Sequence, residues 1–197
     1  SLAGIQQAAK DELTAQKLPN LSAVQLANYT YAVDHATSKD AVATILTDAK
    51  AKDEKALTDA QASATTTINA LTNISAEDKA EALNSVKEAK TVSAVNTALD
   101  GAKTKDDAAK TAAELAAAKK AATDAIDTFT KSTTKDDDKA TIESKTTVAD
   151  VNTSFTTILK NYCNTITDTT SLADAQTIAK EIIAVLPNLT DAEKAQA

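Results

Sequence analysis

Arginine, methionine and tryptophan are absent from the 197 residues, and only 2 Gly, 2 Pro, 1 Cys and 1 His are present. Each shortage excludes something. A lone cysteine, Cys163, cannot close an internal disulfide. So few Gly and Pro leave almost no turn chemistry for a sheet, whereas the abundant Ala, Lys and Glu favour helix. Thr, also abundant, is a middling helix former. All 21 cationic residues are Lys, the net charge is −7 and the pI about 4.8. Such a surface lacks the clustered cations that nucleic acids and anionic membranes require. There is no basic start leading into an apolar stretch and no long apolar run, so the sequence holds neither a signal peptide nor a membrane span.

What the chain does have is repetition. Leu21-Ser22-Ala23, Val33, Val42 and Leu46 return 53 positions later as Ile74-Ser75-Ala76, Val86, Val95 and Leu99. Thr91-Val92-Ser93-Ala94-Val95-Asn96 returns 56 positions later as Thr147-Val148-Ala149-Asp150-Val151-Asn152. Leu71-Thr72-Asn73-Ile74-Ser75 returns as Leu186-Pro187-Asn188-Leu189-Thr190. A period slightly above fifty residues marks an array of small units rather than one enzyme domain. Unit boundaries are expected at 1–53, 54–108, 109–168 and 169–197, the last being the first half of a fourth unit in a longer array.

Within each unit the apolar spacing predicts three helices. In the second unit Ala64, Ile68 and Leu71 share one helical face. Ser75 is placed to cap the next helix, with Asp78 three residues on, and Thr91 to cap the third, which carries Val92, Val95, Leu99 and Ala102. The first unit follows the same plan, with Pro19-Asn20 ending its first helix. Ser22 and Ser38 are its caps, and Leu21 and Leu26 take the staple positions. The third unit is degenerate: the polar stretch from Lys131 to Lys139 predicts a short or loose second helix. Between Lys39 and Leu71 no Gly or Pro occurs, and between Thr91 and Thr130 only Gly101. The third helix of one unit should therefore run directly into the first helix of the next, about 50 Å for about 33 residues. A break or kink is expected between Asn164 and Ser171, capped by Thr170 or Ser171. The expected fold is all-α: tandem three-helix bundles joined by shared long helices into an elongated rod.

Three stretches together resemble the GA module, the three-helix albumin-binding-type module of Gram-positive surface proteins. They are Thr67-Ile68-Asn69-Ala70-Leu71, then Asn73-Ile74-Ser75-Ala76-Glu77, then Ala89 to Asn96; Lys145 to Asn152 repeats the tail. Similar modules and their FIVAR relatives form tandem arrays in extracellular-matrix-binding proteins. The resemblance implies an extracellular, cell-wall location. It also implies a stalk or adhesive array, or alternatively a specific capture module for serum albumin or a matrix protein. In the family, albumin contacts come from the second helix and its flanks. Here that helix lacks aromatic anchors in the second unit. In the first unit it carries Tyr29 and Tyr31, the candidate protein-binding residues. Two residues apart on a helix, they cannot share a face, so one packs and the other points outward.

No catalytic, cofactor or metal site is predicted. His35 has no second His or Cys near it in sequence and suits the end of the second helix, where a cation meets the helix dipole. Asp106-Asp107 and Asp136-Asp137-Asp138 lack the EF-hand spacing and its glycine, and read as solvated charge. Cys163 has no cationic neighbour to activate it. Phosphate-binding and nucleophile-elbow motifs are missing. The expected protein is non-enzymatic and monomeric.

Overall fold

The computed structural model of the chain describes residues 1–167, 169–186, 189 and 191–195. Among these, the regular elements are helices: α1 (Leu2–Glu12), α2 (Ala23–Asp34), α3 (Lys39–Ala70), α4 (Ala76–Glu88), α5 (Val92–Asp127), α6 (Lys135–Glu143), α7 (Val148–Cys163), α8 (Leu172–Val185) and α9 (Asp191–Ala195). The turn of the fourth copy, at Pro187, Asn188 and Thr190, lies outside the described residues.

The side chains expected to start the helices do so. The hydroxyls of Ser22, Ser38, Ser75 and Thr91 accept from the backbone N–H of Gln25, Ala41, Asp78 and Ala94. At Ser22 the box is complete, because the Gln25 side chain accepts from the Ser22 N–H at 2.8 Å. Each cap satisfies one of the donors that a helix start leaves without a partner.

The chain divides into two compact units, Ser1–Lys110 and Thr111–Ala197. The first holds two three-helix bundles with separate cores. One is built on Leu13, Leu18, Leu21, Val33, Val42 and Ala49, the other on Ala64, Ile68, Ile74, Val86, Val95 and Ala102. Helix α3 serves both, since Val42 and Ala49 sit in the first core and Ala64 and Ile68 in the second. With no residue to stop it, the helix simply continues for 32 residues. Helix α5 runs 36 residues in the same way; Gly101 sits inside it with open space around its α-carbon.

One expected boundary is corrected. The first helix ends at Glu12, not at Pro19-Asn20. Leu13 and Leu18 both bury in the first core. Five residues apart, they would point to different sides of a continuous helix. The backbone therefore unwinds between them, and Pro19 disfavours helical geometry at the residue before it.

In the second unit, α6 is 9 residues long, as the polar stretch predicts. Its Thr134 cap makes no bond to the backbone of the first turn. Helix α7 ends at Cys163 and α8 begins after Ser171, whose hydroxyl caps it through Asp174 N–H. The break expected between Asn164 and Ser171 is thus present. Helix α8 packs against α7 and places Ile178 in the third core beside Phe129, Ile126, Ile142 and Tyr162.

Asp106 corrects a second expectation. It is not solvated charge: it is buried at 8% exposure. Its carboxylate accepts from the backbone N–H of Asn73 (2.6 Å) and of Ile74 (2.8 Å), and from Asn73 Nδ2 (3.2 Å). Asp53 holds the first bundle's turn similarly, accepting from Asn20 N–H and Nδ2 at 2.7 and 3.0 Å. Each Asp ties down the turn between the first two helices of its bundle, where N–H groups shielded from water would otherwise be unpaired.

Candidate protein-binding face on α2

Tyr29 and Tyr31 take different roles, as their spacing requires. Tyr29 packs half-buried against the first core, and its hydroxyl donates to Asp48 Oδ2 on α3 at 2.6 Å. Burial, with Asp48 beside it, pushes the Tyr29 hydroxyl up to about 12. Tyr31 is 66% exposed. Its ring stacks on His35, with centroids 4.0 Å apart. His35 ends α2, and its Nδ1 lies 2.9 Å from the Tyr31 carbonyl oxygen.

One residue of this face is not evident from the aromatics alone. Val24 is 70% exposed and stands seven positions before Tyr31, two helical turns away on the same side. Asn28 lies between them and His35 follows, so the outer stripe of α2 reads Val24, Asn28, Tyr31, His35, all exposed. The signal was available in the i, i+4, i+7, i+11 spacing. The corresponding stripe of α4 reads Glu77, Glu81, Asn84, Glu88, also exposed. One bundle therefore offers an apolar and aromatic stripe where its neighbour offers carboxylates. An open cleft between α2 and α3, lined by Gln25, Asn28, Tyr29, Asp48 and Lys52, adjoins the first stripe.

Chemistry is another matter. Among the described residues no group of His, Cys, Asp or Glu is arranged to hold a metal ion. Cys163 is a free, exposed thiol on the last residue of α7. Asp136, Asp137 and Asp138 fall in the first turn of α6, where negative charge opposes the positive end of the helix dipole. Among the described residues no helix is long and apolar enough to cross a membrane.

The GA module family model matches residues 2–55, 54–108 and 169–197, more than half of the chain. A solved segment of EbhA from Staphylococcus aureus is similar over 100% of this chain and 90% of its own length, at 20% identity and a TM-score of 0.45. No curated protein matches.

Proposed function

The chain belongs to the GA module family, and from that membership and its bundle geometry we propose that it is a non-enzymatic repeat segment of a bacterial cell-surface protein. Its work is to project from the cell wall and to present helical faces to host macromolecules. The observation that carries this reading is the sharing of α3 between two cores: the bundles follow one another with no Gly-, Ser- or Pro-rich linker between them. Surface location follows from the family, whose modules occur in Gram-positive surface proteins. Antibodies raised against the chain should label intact cells of the source bacterium, and surface protease treatment should remove the signal. Labelling only after lysis would contradict the reading.

A second reading is favoured by one observation, the exposed Val24–Tyr31 stripe. In it the first bundle captures a host protein, serum albumin or a matrix component, through α2. Large exposed aromatic and aliphatic groups on one face supply the contacts that dominate protein interfaces. Titration of the chain with serum albumin, then with matrix proteins, tests it. Tyr31→Ala should weaken binding tenfold or more, on the order of 1.4 kcal/mol or above, without disturbing the fold. Asn84→Ala on the equivalent face of α4 should do nothing. Equal binding by both variants would place the contact elsewhere.

A further inference from the structure

We propose that Asn20 is a latch that fixes the second bundle onto the first. Its side chain belongs to the α1–α2 turn of the first bundle, yet its Oδ1 accepts from the backbone N–H of Val92, the first residue of α5, at 2.7 Å. The two groups are 72 residues apart in sequence. The geometry leaves little freedom. Asp53 on α3 is 8% exposed and uses one carboxylate oxygen for Asn20 N–H and the other for Asn20 Nδ2. A carboxylate can only accept, so the amide must turn its NH2 to Asp53 and its oxygen to α5. That oxygen meets a donor in need: the first N–H groups of a helix have no partner within it. Thr91 satisfies the one at Ala94, and Asn20 satisfies the one at Val92.

The mechanical consequence follows from how two bundles can be joined. A shared helix alone is a single strut, and a single helix can bend between its packed ends. The latch adds a second attachment off the axis of α3. Bending α3 at its midpoint would then pull Asn20 from Val92, or Asp53 from Asn20. Asp53 is itself part of α3, between the two cores. The clamp beneath the latch recurs in the second bundle, where the bonds of Asn73 go to Asp106 and Thr72. The turn Asn and the helix Asp occur together as Asn20 with Asp53 and as Asn73 with Asp106, and both carboxylates lie in helices that run on unbroken. The third copy has Lys131 and Tyr162 in their places, and there the helix stops at Cys163, one residue beyond Tyr162.

The test uses the full chain carrying Cys163→Ser, with spin labels at Ala27→Cys on α2 and Lys87→Cys on α4, both exposed positions. The unsubstituted joint should give a narrow distance distribution. Asn20→Ala should broaden it and speed hydrogen exchange at the Val92 amide by roughly tenfold, the worth of one such bond. Val92→Pro provides the second variant. Proline is well accepted at the first position of a helix, where it removes the N–H and puts its ring in place of the half-buried Val92 side chain, so the first bundle keeps its turn intact. It should broaden the distribution as Asn20→Ala does, with helix content unchanged by circular dichroism. If neither variant broadens the distribution, the latch is refuted. If Asn20→Ala acts and Val92→Pro does not, the role of Asn20 is confined to its own bundle and the proposal fails equally.

Discussion

The second and third bundles solve one structural problem in two ways. Both must hold the turn between their first two helices. In the second, Asp106 does so from within the bundle's own third helix, fifteen residues after the Thr91 cap. In the third, the residue fifteen after the Thr147 cap is Tyr162. Its hydroxyl accepts from Lys131 N–H at 3.1 Å and donates to Glu181 on α8. Glu181 also accepts from the Thr130 N–H at 3.1 Å and from the Thr130 hydroxyl. A carboxylate is still at the end of the chain of bonds, but it comes from the next helix. Helix α5 continues unbroken past the second bundle's core residues, whereas the third bundle has a break and draws α8 back against α7. Replacing Asp by Tyr thus moves the charge that holds the turn onto another element.

The helix ends show the same contrast. Gln6 and Gln61 each reach from the first helix of their bundle to the last carbonyls of the second, Gln6 to Val33, Asp34 and Ala36 and Gln61 to Val86, Lys87 and Ala89. In the third bundle Lys119 takes that place and donates to the Glu143 carbonyl at 2.5 Å. A three-carbonyl cradle becomes a cationic contact with one residue, Glu143, at its carbonyl and, 3.9 Å away, at its carboxylate.

The largest way to break the comparison is through the cores. Phe129 is fully buried in the third core and stacks on Tyr162 at 4.6 Å. Phe129→Ala should cost about 3–5 kcal/mol, and Ile68→Ala in the second about 2–5 kcal/mol. Denaturant unfolding followed by hydrogen exchange should show each loss confined to its own unit; a loss spread over both units would mean that they unfold as one.

Next comes the relay. Tyr162→Phe keeps the ring and removes the hydroxyl, leaving Lys131 N–H and Glu181 without that partner. A cost of about 1–3 kcal/mol is expected, and its absence would show that the relay does not hold the turn. The hydroxyl also brings a pH dependence. Burial and then Glu181 push the Tyr162 hydroxyl up to about 12, above the ordinary 10. A group with a raised folded value contributes stability below its unfolded value and loses it as pH rises through the folded one. The second unit should therefore weaken between about pH 10 and pH 12, and Tyr162→Phe should remove that part of the dependence.

Asp106 has the opposite sign. Burial works against its charge, but the donors on Asn73 and Ile74 outweigh it and hold the carboxyl below its ordinary range. Its contribution is present above that range and lost as pH falls through it. Acid unfolding of the second bundle should become less steep in Asp106→Asn, and identical acid curves would deny the carboxylate its role.

The smallest expected difference is at the caps. Ser75→Ala should cost about 1 kcal/mol, the usual worth of a capping side chain. Thr134→Ala should cost well under about 0.5 kcal/mol, since Thr134 caps no N–H of the first turn. Equal effects in thermal unfolding would erase this part of the contrast.

Much of this architecture was legible in the sequence because it depends on local chemistry. Ser22, Ser38, Ser75 and Thr91 announce helix starts by residue type and by the apolar spacing after them. The shared helices follow from the lack of Gly and Pro, and the break near Ser171 from a run of Thr. The outward turn of one tyrosine followed from helical geometry. The Asn–Asp pairs were not read, because each joins residues 33 apart, and a lone Asp in a charged helix resembles any solvated residue. Their signal was joint change between copies: Asn and Asp are both present in two copies and both replaced in the third. The early end of α1 was missed for a related reason, since only the packed core shows that Leu13 and Leu18 must both be buried.

The account rests most heavily on α3 being one uninterrupted helix between two cores, and residue-resolved hydrogen exchange on the full chain tests that directly. It predicts continuous protection from Val42 through Ile68, with the stretch around Asp53 protected like the parts of α3 packed in the two cores. Rapid exchange in the middle of α3 alone, with both packed ends protected, would contradict it, because the two bundles would then be separate bodies on a flexible tether.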